Sequence, residues 1–314
     1  MRHIVKRCLA LVLCGILGSQ VNLAALKAQE KSFQLVYKFE TNQTVHYDVV
    51  YKMWITTKKG LVAETAVNES KSRKHFRVVS IDSEKNAVIE PFIDRVWMSA
   101  RFGDNDPVVY DSESDSKPPK QFRSIHQTIG KPLARIKIAP HGEFIKAVPF
   151  RNVAGRFKSQ PPSGLAADET HRSFLVVFPQ NPIRVGDKWK DTLDVNVTLS
   201  PKLQRTVTLR RQYQLVSVEN NQATISLVTS VLTPVRDPTV SAQLIQRSPE
   251  GTIVFDLKRG FIVSRNLTID KTVIGALGDQ SSMRAKSDLS ERLVPLSAVA
   301  RQSDTKFRPT NATK

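Results

Sequence analysis

The chain has 314 residues, 40% hydrophobic and 24% charged, with a formal net charge of +18. That balance belongs to a folded globular protein and excludes a disordered, collagen-like or disulfide-dense chain. Both cysteines, Cys8 and Cys14, sit near the start, so the rest of the chain has no thiol nucleophile, disulfide framework or cysteine-bound metal.

In chain order, the first expected element is an export leader over residues 1–28. Arg2, His3, Lys6 and Arg7 form a basic start, Cys8–Gly18 an apolar run, and Ala24-Ala25-Leu26-Lys27-Ala28 a small-residue end. The apolar run suits a signal-peptide core and falls short of the roughly 20 residues that a spanning helix needs. Cleavage is expected after Ala28, with an uncleaved anchor as the alternative. Leu13 is too bulky for a lipoprotein box at Cys14. The leader carries four cations and no acid, so its loss lowers the charge from +18 to +14.

Beyond it, hydrophobic residues alternate. Val45, Tyr47, Val49, Tyr51, Met53 and Ile55 share one face, opposed by His46, Asp48, Lys52 and Thr56. Trp189, Leu193, Val195, Val197 and Leu199 repeat the pattern, as do Phe261, Val263, Leu267 and Ile269. A period of two marks strands with one buried and one wet face, the habit of antiparallel sheets. Turn signals separate them at Thr41-Asn42-Gln43, Lys58-Lys59-Gly60, Asn220-Asn221 and Arg259-Gly260. One short helix is expected near 120–129, where Phe122, Ile125 and Ile129 fall at helical spacing.

An internal repeat organises these pieces. His75-Phe76-Arg77-Val78-Val79-Ser80-Ile81-Asp82 aligns without a gap to Gln212-Tyr213-Gln214-Leu215-Val216-Ser217-Val218-Glu219. Upstream, Thr41–Tyr51 faces Val185–Trp189 and the strand after it; downstream, Val108–Asp111 faces Ile253–Asp256. The expected fold is therefore mainly β: a long antiparallel meander of two related halves, forming a curved sheet or half-barrel. The first β half covers 29–150, a linker 151–170, the second half 171–294 and a disordered tail 295–314.

The segments Val185-Gly186-Asp187-Lys188-Trp189, Tyr110-Asp111-Ser112 and Gly251–Gly260 resemble recurring features of a family of uncharacterised exported β-rich proteins, common in planctomycete-type bacteria. The resemblance implies no catalytic residue. The long meander is also similar, as architecture only, to the half-barrels of periplasmic lipoprotein carriers.

Chemistry is sparse. No His-Glu-x-x-His, nucleophile elbow, phosphate loop or dinucleotide fingerprint occurs. His46 and Asp48 share a strand face and could ligate a metal together, but that spacing fits two exposed polar residues better. Asp168, Glu169 and His171 form the densest acid–histidine group, in a loop, and carry the alternative reading of an envelope-polymer hydrolase. Asp111 and Asp256 read as turn caps. No catalytic residue, metal or cofactor is assigned.

The leading expectation is a non-catalytic protein, exported to the periplasm, cell envelope or medium. It would bind a partner, lipid or other apolar ligand in a concavity lined by Tyr47, Tyr51, Trp189 and Tyr213. Lys71, Arg73, Lys74 and Arg77 form the densest basic cluster. At roughly 1 kcal/mol per cation near an anionic surface, it suits adhesion to an anionic envelope polymer. The export leader argues against a nucleic-acid partner.

Overall fold

The computed structural model describes residues 31–148, 170–200 and 203–295. The leader, residues 151–169 of the linker and the tail after Pro295 lie outside them. In chain order the strands are β1 (Ser32–Phe33), β2 (Thr44–Lys59), β3 (Val62–Ile81), β4 (Ala87–Phe102) and β5 (Val108–Asp111). A 3-10 turn (Lys120–Phe122) and helix α1 (Arg123–Thr128) follow, then β6 (Ile136–Ile138), β7 (Phe144–Ala147) and β8 (Ile183–Arg184). The remainder is β9 (Lys188–Ser200), β10 (Leu203–Glu219), β11 (Gln222–Val231), helix α2 (Pro238–Ile245), β12 (Glu250–Asp256), β13 (Phe261–Ile274) and β14 (Ser281–Leu293).

Twelve strands form one open antiparallel sheet in the order β7-β6-β4-β3-β2-β14-β13-β12-β11-β10-β9, with β5 added to the side of β4; β1 and β8 pair separately. The expected β class, meander and short helix near 120–129 are all present. Helix α2 was not anticipated, although Asp237-Pro238-Thr239 carries its start signal. The Asp237 carboxylate accepts a hydrogen bond from the Thr239 amide at 2.8 Å, and Pro238 occupies the first turn, where its missing N–H costs nothing. At eight residues, α2 is too short for hydrophobic periodicity to stand out.

Alternation decides which way each side chain faces. Val45, Tyr47 and Met53 of β2 are buried, as are Phe76 and Val78 of β3 and Tyr213 and Leu215 of β10. Phe76 of β3 and Phe261 of β13 are three strand steps apart, roughly 14 Å on a flat sheet at about 4.8 Å per strand, yet their rings stand 6.1 Å apart. The sheet is therefore curved around its contents, and the buried face is the concave one. Helix α2 makes the same point by packing on both β9 and β13.

The contents are supplied by the chain itself. Residues 35–39 and 174–178 lie against the concave face and carry an unbroken line of rings across it. Phe76 meets Phe39 (6.3 Å between centroids), Phe39 meets Tyr37 (5.4 Å), and Tyr37 meets Phe178 (5.2 Å). Phe178 then meets Trp189 (6.4 Å), which stacks on Tyr213 (5.3 Å). The Tyr37 hydroxyl donates to the Val176 carbonyl at 3.1 Å and accepts from the Val176 amide at 2.7 Å, which pairs the two inserted segments without a ladder. Gly142 lets them approach: a Cβ there would stand 2.3 Å from the Val176 carbonyl oxygen, and its φ is +89°.

The aligned blocks 75–82 and 212–219 close two hairpins, β3–β4 and β10–β11, with a common irregularity. The register slips by one residue at Val79 in the first and at Val216 in the second, the same place in the alignment. Each hairpin is also clamped from upstream. The Asn42 amide donates to the Val78 carbonyl and the Val78 amide to the Gln43 carbonyl; Gly186, Leu215 and Asp187 repeat both bonds. The clamping turn needs a left-handed residue, supplied by Asn42 (φ +66°) and Gly186 (φ +96°).

The downstream match is different. β5 pairs with the far end of β4, opposite Trp97–Ala100, whereas β12 pairs with β11 from Gln222 to Val228. The strand standing where β12 would is β6, which sets Ile136 and Ile138 opposite Ile89 and Ala87. Asp111 and Asp256 still do the same local work. Asp111 accepts from the Glu113 amide at 3.0 Å, and Asp256 from the Lys258 and Arg259 amides at 2.8 Å.

Candidate functional site

Of the four aromatic residues expected to line a ligand cavity, three are core. Tyr47 and Tyr213 are fully buried, and Trp189 packs on Tyr213 while its Nε1 donates to the Val177 carbonyl at 2.9 Å. Burial pushes the Tyr213 hydroxyl up to about 12 and the Tyr47 hydroxyl well above its usual value. Tyr51 is half-buried, its hydroxyl 3.5 Å from the Met53 sulfur. The apolar face on which these residues were placed is covered by residues 35–39 and 174–178.

A buried polar clasp holds the second of those segments in place. Lys74 donates to the Ser173 carbonyl at 2.7 Å, and Arg265 donates to the Ser173 and Phe174 carbonyls at 2.9 and 2.7 Å. Glu291, buried between them, sits 2.8 Å from Lys74 Nζ. Burial lowers the Lys74 pKa, partly offset by Glu291. Carbonyls of a non-ladder segment must find donors when buried, and these two cations provide them.

This clasp divides the expected basic cluster. Alternation sends Lys74 to the concave face and leaves Lys71, Arg73 and Arg77 on the convex one. There Arg73 grips Asp48 through two bonds of 2.8 and 2.7 Å, and Arg77 meets the buried Glu90 at 2.6 Å. Lys71 lies over the Trp97 ring at 5.4 Å, and Lys52 and Lys286 lie over Trp54 at 5.0 and 5.5 Å. The convex face thus offers tryptophans with lysines rather than a stripe of unbalanced charge.

The expected acid–histidine group is not assembled within the described residues. Asp168 and Glu169 lie outside them. His171 is fully buried, with Nε2 2.7 Å from the Gly142 carbonyl oxygen and its ring beside Phe144.

Among the described residues, two constellations stand out. The first is a groove of about 850 Å³ at the rim of the sheet, between the turn at Glu40–His46, the turn at Lys258–Arg259 and the end of β14. Val45, Phe261, Leu293 and Val294 give it apolar lining, and Lys38, Lys258 and Arg259 bring cations to its edge. Lys38 is held there by donating to the Lys258 carbonyl at 3.0 Å. None of the four expected aromatic residues lines it. Reading the strands singly could not find this groove, because its walls come from three separated turns and strand ends.

The second lies on the convex face, where His46 of β2, His75 of β3 and Phe92 of β4 are successive cross-strand neighbours. His75 stacks on Phe92 (4.6 Å, 10°), and the two imidazoles are 4.8 Å apart. A second bulge in β4 makes Asp94 an extra residue between Ile93 and Arg95. Bulges re-aim side chains, and this one brings Asp94 to the histidines. Its Oδ1 is 2.5 Å from His75 Nδ1 and its Oδ2 3.4 Å from His46 Nδ1. Burial alone would raise the Asp94 carboxyl, but the two imidazoles outweigh it and hold the group at about 2. These three residues, rather than His46 with Asp48, have the donor set and closeness to hold a metal ion. Asp48 is engaged by Arg73.

Comparison with known proteins adds a family match over part of the chain. Residues 165–262 match the model of a family of unknown function (DUF6263). No curated protein matches the chain. Among solved structures, the chain is similar to one described as lipid–protein interactions in lipovitellin, at 12% identity and a TM-score of 0.43. That match covers 82% of this chain and 26% of the other, so the present chain spans about a quarter of its length. A MucA/MucB complex from Pseudomonas aeruginosa is similar at 8% identity and a TM-score of 0.10, over 86% of this chain and 95% of that one. Neither likeness carries an argument. What the comparisons establish is a stretch similar to a family without a known function.

Proposed function

We propose that this protein is a non-catalytic, exported cell-envelope protein that binds an apolar molecule with an anionic head in the rim groove. The observation that carries the reading is the groove itself. Its volume of about 850 Å³ falls within the range of small-molecule sites, about 300–1,000 Å³. Its apolar lining suits a hydrocarbon body and its edge cations suit a carboxylate or phosphate. The export leader expected over residues 1–28 supports placement outside the cytoplasm, where such amphiphiles are envelope constituents.

The test is displacement of a fluorescent anionic fatty-acid analogue from the full mature chain, beside mass spectrometry of lipids extracted from protein purified from its native envelope. Reversing both exposed cations, Lys258→Glu with Arg259→Glu, is expected to weaken the analogue at least about 30-fold, given roughly 1 kcal/mol per cation lost. A wild-type protein that neither binds the analogue nor carries an extracted amphiphile would end this reading.

A second reading is favoured by the lysines over Trp54 and Trp97. It makes the convex face a surface for an anionic envelope polymer. Retention on such a polymer that is abolished by salt and by Lys71→Ala with Lys286→Ala would move the function there.

A further inference from the structure

We propose that His46, His75 and Asp94 form a binding site for a divalent transition metal of the Zn(II) type on the convex face. The donor set is two imidazoles and one carboxylate, a combination suited to such ions. The three donor atoms lie within 4.8 Å of one another. Ligands about 2.0–2.1 Å from a tetrahedral ion stand roughly 3.3 Å apart, close to the 3.4 Å between His46 Nδ1 and Asp94 Oδ2. Those two atoms are buried and, among the described residues, meet only each other, at a separation too long and poorly aligned for a well-formed hydrogen bond, although buried polar atoms are ordinarily paired. An ion between them would satisfy both.

The surroundings fit a built site. Each ligand comes from a different strand, and the three strands are hydrogen-bonded neighbours, so the framework is held before any ion arrives. Phe92 covers one face of the His75 ring. The nearby cations are matched by other carboxylates: Arg73 by Asp48, Arg77 by Glu90 and Arg95 by Glu113. Asp94 is thereby left to the histidines.

The related hairpin acts as an internal control. By the matched clamps and blocks, His46 corresponds to Lys190 and His75 to Gln212, which are likewise cross-strand partners. The β10–β11 pair has no second bulge. Folding such a hairpin therefore requires neither the histidines nor the bulge that delivers Asp94. With three protein ligands, a fourth position remains for water or an anionic group.

This inference does not rest on the groove. His46 borders it, but His75 and Asp94 do not, so the test uses those two. Full-length mature protein, stripped with a chelator, is titrated with Zn(II) by calorimetry and with Co(II) by visible absorption. One ion per chain is expected. His75→Gln and Asp94→Asn should each weaken binding by at least about 100-fold, given that even outer-shell changes cost 10–100-fold. His141→Gln, which removes the partner of Glu143 elsewhere, should leave affinity unchanged. Wild-type protein that takes no Zn(II), or a His75→Gln/Asp94→Asn protein that binds it as tightly, overturns the proposal. Should a variant unfold, wild-type imidazole nitrogen shifts decide. Movement of His46 and His75 on adding Zn(II) supports the site, and movement confined to His141 or His126 refutes it.

Discussion

The β3–β4 and β10–β11 hairpins agree on one face of the sheet and differ on the other. On the concave side Phe76, Val78, Ala87 and Ile89 match Tyr213, Leu215, Ala223 and Ile225, and all eight are fully or almost fully buried. The bulges at Val79 and Val216 and the clamps from Asn42 and Gly186 match as well. On the convex side the first hairpin has His75 beside His46 of β2, an extra bulge at Asp94, and Glu90 between two arginines; the second has Gln212 beside Lys190 of β9, and Gln214. Close packing constrains the buried face, where a lost methylene is felt. The convex face is under no such constraint and can acquire chemistry.

Truncating the matched aromatic residues should break the core from either side. Phe76→Ala and Tyr213→Ala are each expected to cost about 3–5 kcal/mol in denaturant unfolding. If one is tolerated and the other is not, the two hairpins are not equivalent in packing. A change confined to the first hairpin sharpens the contrast. Glu90 is 1% exposed and faces Arg77 at 2.6 Å and Arg135. Glu90→Gln leaves both cations without their carboxylate, at a cost of about 3 kcal/mol, the low end for a broken buried pair because Arg77 is half exposed. In the second hairpin Gln214 stands for Arg77 and lies opposite Ser226, which stands for Glu90, both uncharged, so Ser226→Ala should shift the same unfolding curve far less.

The smallest effect concerns the turn of the first hairpin. Lys137 Nζ stands 2.7 Å from Asp82 Oδ2, and this contact holds the Asp82 carboxyl at about 2, below its ordinary 3.8. A folded value below the unfolded one means that the stabilisation is complete above pH 3.8 and is lost as pH falls through about 2. Lys137→Met should reduce that contribution, visible as a smaller drop in melting temperature between pH 4 and pH 2 than in wild type.

Much of the concave face was readable because burial leaves a period-two trace. Val45 to Ile55, Trp189 to Leu199 and the aligned blocks 75–82 and 212–219 announced strands, faces and a repeat. Asp111 and Asp256 were readable as caps because an Asx turn is local. The candidate sites were not readable in the same way. The clasp of Lys74, Arg265 and Glu291 joins three strands, and alternation showed only that Lys74 and Arg73 face opposite ways.

The sequence by itself determined the β class, the register of hydrophobic faces and the two matched hairpins, since each follows from neighbours along the chain. Only the tertiary structure decided that Trp189 would meet the inserted segment at Val177 and Phe178, and that Tyr47 and Tyr213 would pack on Phe76 and Trp189. It also decided that Asp94 would reach His46 and His75. The physical reason is that period two says which side a residue faces but not what covers that side. The bulge at Asp94 shifts the phase of the alternation in β4, from Ala87 and Ile89 to Val96, but that shift does not say where the extra side chain will point.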